Sequence, residues 1–229
     1  MVDFTYKDIP IIYEDNHILV VVKPPNLIMQ EDTTNDRSLL TILKEYLKVT
    51  YNKPGNVFLA LVQRLDRPVG GVCIFAKTSK AAARLSNDIR LHKIEKTYHA
   101  VICGQTKPEA TLVDYLIKDN KTNTSSVTDS AKGKQSSLSY QRLDYQEQLS
   151  LVKINLETGR SHQIRVQFSS RKLPLWGDQR YNKNALPKQQ IALWATQLTI
   201  IHPITKERLT FNSHPPNQYP WTLFKELAI

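Results

Sequence analysis

The chain contains many short apolar runs that come one directly after another, and this pattern limits the folds that it can adopt. Strand-like runs lie at residues 11–12, 18–22, 57–62, 72–76, 96–103, 138–145, 150–156, 191–201 and 208–211. Two windows have helical spacing instead: residues 37–51, which Asp36 is expected to cap, and a second window that begins at the cap Ser79. A closing helix is expected at residues 221–227. Because strands mostly follow one another, the pattern predicts an α+β domain with a mixed, mainly antiparallel β-sheet flanked by helices.

The composition along the chain gives little sign of a domain boundary. The 229 residues suit one large domain or at most two small ones, and no Gly/Ser-rich linker separates two halves. Residues 118–139 are rich in Asn, Thr, Ser and Lys, and are expected to form an exposed loop or irregular ribbon. We therefore predict a single domain over residues 1–229.

Net charge gives the first indication of a partner. The 31 Lys and Arg residues exceed the 21 Asp and Glu residues, which gives a formal net charge of +10. Such a charge attracts polyanions, of which nucleic acid is the commonest, although many soluble basic proteins bind none. No block of Lys and Arg dominates, so the positive charge is expected to lie across a folded surface.

The sequence also bears on location. Its apolar runs are too short to span a bilayer, and residues 1–10 lack the apolar stretch of a signal peptide. Cys73 and Cys103 lie in strand-like runs without metal-ligand spacing, and we expect both to be buried free thiols. These features predict a cytoplasmic protein without a membrane partner, which we expect to be a monomer.

The densest cluster of unusual residues is the stretch QRLDRPVGG at residues 63–71, between two apolar runs. It places Asp66 between Arg64 and Arg67, and neighbouring guanidinium groups favour the ionised form of a carboxyl group. The proline and the two glycines favour a defined turn that fixes the acid in space. By pattern alone, the stretch fits either a catalytic carboxylate or a surface turn with a local Arg–Asp pair.

Five segments resemble, in order, the motifs of the RluA-type pseudouridine synthases. They are VVKP at 21–24, QRLDRPVGGVCIFAK at 63–77, EKTYHA at 95–100, TGRSHQIR at 158–165, and WGD at 176–178 with Tyr181 and the stretch 193–203. The resemblance extends from about residue 12 to about residue 215. A single short motif is weak evidence, whereas five in the expected order are specific.

Three positions depart from the family pattern. Gln63 stands where the family usually has His, Trp194 replaces a later His, and the turn reads Val69-Gly70-Gly71 instead of ending in Ser-Gly. None of these removes a residue that the resemblance assigns to chemistry, so they bear on local packing and target preference. The resemblance starts near residue 10, so the small N-terminal RNA-binding domain of many relatives is expected to be absent.

The resemblance implies an isomerase that converts specific uridines of structured RNA, either rRNA or tRNA, to pseudouridine in a basic central cleft. The bond from ribose to N1 of uracil breaks and a bond to C5 forms. Because no redox change occurs and no group is gained or lost, no cofactor and no metal are expected. Asp66 is implied to be the essential carboxylate, and its addition to uracil, attack on the sugar and deprotonation of the sugar all remain open.

The resemblance also implies roles for other residues. Tyr98 is expected to stack on the target base and is a candidate for removing the C5 proton. Arg165 is expected to pair with Asp66, and Arg64 to fill the space left by the flipped nucleotide. His162 and Gln163 are expected to contact RNA or the catalytic loop.

The residue pattern alone leaves alternatives to these roles. Tyr98 also fits a core strand, and Arg64 also fits a salt bridge to Asp66. Residues 161–168 read as a helix or as a strand; the family places a helix there, which would put Arg165 on a mostly apolar face in need of an anionic partner.

Two other functions fit the sequence less well. One is a catalytically weak RNA-binding protein on the same scaffold, which the atypical Gln63 permits. The other is a glycoside or nucleoside hydrolase, which usually needs two acids near the scissile bond, and no second acid stands out near these motifs.

Overall fold

The computed structural model describes residues 4–32, 34 and 36–227. Its helices are α1 (Leu39–Thr50), α2 (Ser79–Arg90) and α3 (Gln163–Ser169), and short 3-10 helices lie at Tyr6–Asp8, Trp221–Leu223 and Lys225–Leu227. Its strands are β1 (Ile11–Glu14), β2 (Ile18–Lys23), β3 (Ala60–Leu61), β4 (Gly70–Ala76), β5 (Glu95–Cys103), β6 (Glu109–Asp119), β7 (Thr124–Thr128), β8 (Lys134–Gln146), β9 (Leu149–Leu156), β10 (Leu193–Ile201) and β11 (Arg208–Asn212).

The chain divides into two compact units. Unit 1 comprises Met1–Ile94 and Gln197–Ser213, and unit 2 comprises Glu95–Thr196 and His214–Ile229. The predicted α+β class with a mainly antiparallel sheet is confirmed. The single domain over residues 1–229 and the basic cleft stay predictions.

In unit 1, strands β2 and β4 form the centre of the sheet. Strand β2 pairs antiparallel with β1 and β4, and β4 also pairs with β3. Every residue of β4 is buried, as the continuous apolar run predicted. The register places Lys23, the last residue of β2, opposite Gly71, so the end of β2 lies beside the start of β4 and the turn before it.

In unit 2, strands β5, β9, β8, β6 and β7 lie side by side in that order, and their pairs are antiparallel. Helix α3 packs on this sheet: the Phe168 ring lies 5.1 Å from the Tyr140 ring, and Gln167 Nε2 donates to the carbonyl oxygen of Leu112. Six of the seven residues of α3 are buried, so its polar side chains need partners inside the fold.

Several predicted elements were wrong in detail. The cap of α1 is Ser38 rather than Asp36, and the cap of α2 is Thr78 rather than Ser79. In each case the capping residue directly precedes the helix, so its hydroxyl reaches the amide of the third helical residue. The run 57–62 forms a strand only at β3, and residues 221–227 form the two short 3-10 helices instead of one α-helix.

The polar segment 118–139 is largely strand rather than loop. It contains the end of β6, all of β7 and the start of β8. Asp119 accepts hydrogen bonds from Lys121 N and the Thr122 hydroxyl, and Asn123 takes a positive φ of 50°, so this turn is built from local polar contacts. Strand pairing therefore decides the conformation here, where the apolar pattern gave no signal.

Two further expectations concern the state of the cysteines and the presence of membrane-spanning helices. Both cysteines are free; Cys73 is buried as expected, whereas Cys103 is only partly buried. Of the helices that the structure describes, none combines the length and apolarity that a membrane crossing requires.

Candidate active site

In unit 1, Asp66 lies in a tight turn at the entry to β4. Val69 N donates to the carbonyl oxygen of Asp66 over 3.0 Å, and Arg67 and Pro68 occupy the two central positions of the turn. Asp66 is partly buried, whereas Arg64 is exposed. Arg67 Nη2 lies 2.5 Å from Asp36 Oδ2, so one of the two flanking arginines is engaged by a carboxylate outside the motif.

A buried lysine donates hydrogen bonds to the backbone of this turn. The side chain of Lys23 is fully buried, and its ammonium group donates to the carbonyl oxygens of Pro24 at 2.9 Å, Arg67 at 3.0 Å and Val69 at 2.7 Å. Burial lowers the pKa of Lys23 to about 7, and the charge of Asp66 acts in the opposite direction. Lys23 thereby fixes the backbone that immediately follows Asp66.

In unit 2, Arg165 forms an ion pair with Asp178 that the sequence did not predict. Nε lies 2.8 Å from Oδ2 and Nη2 lies 2.7 Å from Oδ1, a two-pronged arrangement between side chains that are 5% and 0% exposed. Asp178 Oδ1 also accepts from the amides of Arg180 and Tyr181, which compensates the buried charges. The predicted helix at Arg165 is confirmed, and its predicted pairing with Asp66 stays a prediction.

The backbone before Asp178 needs glycine. Gly177 has a positive φ of 69°, and a Cβ atom built there would lie 2.2 Å from the carbonyl oxygen of Gln190. A side chain fits neither the conformation nor the space. Glycine at position 177 therefore allows the backbone turn that places the Asp178 carboxylate against Arg165.

His162 stands at the start of α3 in the left-handed conformation, with a φ of 53°. Its Nδ1 lies 2.7 Å from the hydroxyl of Tyr181, which accepts a hydrogen bond of 2.8 Å from the amide of Ser125 on β7. Since the Tyr181 oxygen already accepts from Ser125, we infer that it donates its hydrogen to His162 Nδ1, which leaves Nε2 as the protonated nitrogen of the neutral ring. The guanidinium of Arg165 lies 5.1 Å from the centre of the Tyr181 ring.

Gln163 is buried, and both ends of its amide are used within the fold. Its oxygen accepts from the Thr158 hydroxyl at 2.7 Å and from Arg160 N at 3.0 Å, and its nitrogen donates to the carbonyl oxygen of Ser137. These contacts shape the loop before α3. The expected contact of Gln163 with RNA stays a prediction, and the geometry favours a positioning role.

The predicted residues thus fall into two groups. Arg64 and Asp66 lie in unit 1, whereas Tyr98, His162, Gln163 and Arg165 lie in unit 2. Tyr98 is buried at the middle of β5, opposite Ile154 of β9. In the described part of the chain, His, Cys, Asp and Glu side chains form no group of three or more that could hold a metal ion.

Comparison with known proteins decides the family. The family model described as RNA pseudouridylate synthase matches residues 17–170, which is more than half of the chain and includes the turn at Asp66. The chain belongs to this family. Asp178 and Tyr181 lie beyond the matched residues, although they contact Arg165 and His162 within them.

This pseudouridine synthase is similar to several known proteins, both in sequence and in solved structure. It is 31% identical to a ribosomal large subunit pseudouridine synthase D of Zymomonas mobilis, over 97% of this chain and 74% of that protein. It is 30% identical to the RNA pseudouridine synthase YhcT of Bacillus subtilis, over 88% of this chain and 67% of that protein. The human RNA pseudouridylate synthase domain containing 4 shares its fold, with a TM-score of 0.76, 20% identity and coverage of 90% and 88% of the two chains.

The structure assigns supporting roles that the motifs of this synthase did not reveal. Lys23, Asp178 and Tyr181 lie in or beside segments whose sequence resembles the family motifs, but the sequence did not show what their side chains contact. A signal existed for Lys23, since a lysine that ends a run of five apolar residues and precedes a proline is placed for burial. For Asp178 and Tyr181 the partner depends on tertiary packing.

Proposed function

We propose that this synthase isomerises uridine in RNA of the large ribosomal subunit and that Asp66 is its essential carboxylate. The RNA class follows the name of the Zymomonas mobilis relative, and a net charge of +10 suits such a polyanion. The name of the Bacillus subtilis relative gives no RNA class, so transfer RNA is the competing substrate. The cytoplasmic location and the monomeric state stay predictions.

The contact between Lys23 and the turn of Asp66 is the observation that carries the proposal for the catalytic residue. Two of the three hydrogen bonds of Lys23 hold the carbonyl groups on both sides of Pro68, so the turn that presents Asp66 is fixed before any substrate binds. A reacting group held in place loses little entropy on reaching its transition state. A turn with only a surface role does not require a buried lysine.

The remaining residues keep, in this proposal, the roles that the family resemblance implies for them. Tyr98 stacks on uracil and removes the C5 proton, and Arg165 provides a fixed positive charge whose orientation Asp178 maintains. Arg64 is exposed, as a residue that replaces a flipped base must be before RNA binds. Gln163 holds the loop 158–160, and His162 donates a hydrogen bond to RNA from Nε2.

The test is a comparison of pseudouridine maps of ribosomal and transfer RNA from cells with and without the protein, by carbodiimide labelling and primer extension. Purified protein should restore the missing modification. Asp66→Asn should abolish it while RNA affinity stays near that of the wild type. The matched control is Asp88→Asn, a carboxylate on α2 in the same unit, which should retain full activity.

Each alternative has its own outcome in this experiment. Normal RNA binding by a wild-type protein that leaves every uridine unchanged would indicate the RNA-binding protein on the same scaffold. Release of free uracil would indicate a hydrolase. Modification at normal speed by Asp66→Asn would remove Asp66 from the mechanism.

A further inference from the structure

Lys96 is a partly buried cation that has no anionic partner among the described residues. It stands near the start of β5, and burial lowers the pKa of its ammonium group. Within the part of the chain that the structure describes, Lys96 Nζ makes neither a hydrogen bond nor an ion pair. Lys96 is only partly buried and its Nζ is not sealed from solvent, so the ammonium group is accessible to an anionic ligand.

The position of Lys96 points to where that ligand lies. Side chains alternate along a strand, so Lys96 and Tyr98 project from the same face of β5, with about 7 Å between their Cα atoms. On the opposite face, His99 pairs with Lys153 of β9. Lys96 is therefore the charged neighbour of the tyrosine proposed to stack on uracil.

Gly159 lies directly beside the ammonium group of Lys96. A Cβ atom built on Gly159 would lie 3.5 Å from Lys96 Nζ, so the glycine brings bare backbone up to the cation. Thr158 and Arg160, on either side of it, are both bonded to the amide of Gln163. The backbone beside the ammonium group is consequently held in place by the fold, just before the start of α3.

We propose that Lys96 binds a backbone phosphate of the RNA beside the target uridine, and this rests on the proposed function. A compact ammonium group on a flexible stem binds a phosphate oxygen as a point charge, without the fixed geometry that an arginine would impose. The phosphate supplies a counter-charge that no side chain in the described part of the chain provides. The contact sets the register of the RNA chain on unit 2, so that one base meets the face of Tyr98.

The test measures RNA binding as a function of salt in the Asp66→Asn background, which avoids turnover. The probe is the RNA fragment found to be modified by the wild-type protein. Lys96→Gln should weaken binding at low salt about tenfold, as loss of one charge-assisted hydrogen bond does. It should also reduce the slope of log affinity against log salt by about 0.7 to 0.9, the change expected for one phosphate contact.

The matched control is Lys153→Gln, which removes the same charge from the neighbouring strand on the opposite face of the sheet. Its salt slope should stay at the wild-type value. Lys96→Arg should retain most of the slope, because it keeps the charge. A wild-type slope and affinity in Lys96→Gln would overturn the proposal.

A second measurement separates a phosphate contact from a structural role. The pKa of Lys96, followed by NMR of the reductively methylated protein, should rise when the RNA fragment binds, since a phosphate stabilises the ammonium form. An unchanged pKa with saturating RNA would overturn the proposal even if Lys96→Gln folds poorly. Failure of the proposed function would show separately, as a wild-type protein that forms no pseudouridine.

Discussion

The ammonium group of Lys23 lies 2.7 Å from the carbonyl oxygen of Val69, three residues after Asp66. The register of β2 and β4 places Lys23 opposite Gly71, close to the turn that precedes β4. Its ammonium group therefore also donates to the carbonyl oxygen of Arg67. A buried side chain of unit 1 thus controls the backbone that presents the proposed catalytic carboxylate. This relationship gives the first two predictions.

Lys23→Met should reduce turnover strongly while changing the free energy of unfolding by at most about 2 kcal/mol. The substitution leaves three carbonyl groups without donors, which costs about 1–3 kcal/mol for each that stays buried. It also removes a buried charge, which offsets much of that loss. The measurements are single-turnover rates of pseudouridine formation and urea unfolding.

The control for this prediction is Lys44→Met, which removes an exposed lysine from α1 of the same unit. It should leave both quantities unchanged. If Lys23→Met formed pseudouridine at the wild-type rate, the turn would keep its geometry without the lysine, and the positioning role would be lost.

The second prediction concerns pH. Burial lowers the pKa of Lys23 in the folded chain to about 7 from 10.5, whereas the unfolded chain keeps the ordinary value. Between these two values the unfolded state binds more protons, so the stability of the wild type relative to Lys23→Met should rise as pH increases from 7 toward 10.5. Urea unfolding of both proteins at pH 7, 8 and 9 checks this, and a constant or falling difference would contradict it.

Asp178→Asn should destabilise unit 2 by about 3–5 kcal/mol, because it removes the carboxylate charge from a buried two-pronged ion pair. Asp66→Asn should cost much less, since the fold already provides Arg165 with a two-pronged carboxylate. Urea unfolding of the two variants compares them directly. Equal losses would show that Asp66 contributes to holding Arg165 as much as Asp178 does.

Tyr181→Phe should change the tautomer of His162. The substitution removes the hydroxyl that joins His162 Nδ1 to the amide of Ser125 but keeps the ring beside Arg165. We expect a loss of about 1–3 kcal/mol for the unsatisfied Ser125 amide and a slower turnover.

The measurement is the ¹⁵N spectrum of His162, which should show hydrogen on Nε2 in the wild type and a mixture in the variant. Tyr145→Phe is the matched control, since among the described residues the hydroxyl of Tyr145 bonds only the side chain of Gln148. A wild-type spectrum with hydrogen on Nδ1 would contradict the inferred network.

The sequence predicted those elements whose own residues specify them. The apolar runs at β2, β4, β5, β9 and β10 are strands within a few residues of the predicted bounds, because burial on both faces requires a continuous apolar sequence. Helix α1 followed from its spacing of leucines. By contrast, the polar strand β7 gained its conformation from cross-strand pairing with β6, which no local pattern in its residues reveals.

The same division holds for the candidate site. The motifs by themselves determined the family, located Asp66 and placed Arg165 on a helix that needed an anionic partner. Only the tertiary structure supplied that partner as Asp178, which Gly177 delivers through a backbone conformation with positive φ. It also supplied Lys23 to the Asp66 turn, because hydrogen bonds between residues more than forty positions apart depend on strand register, which a linear sequence does not record.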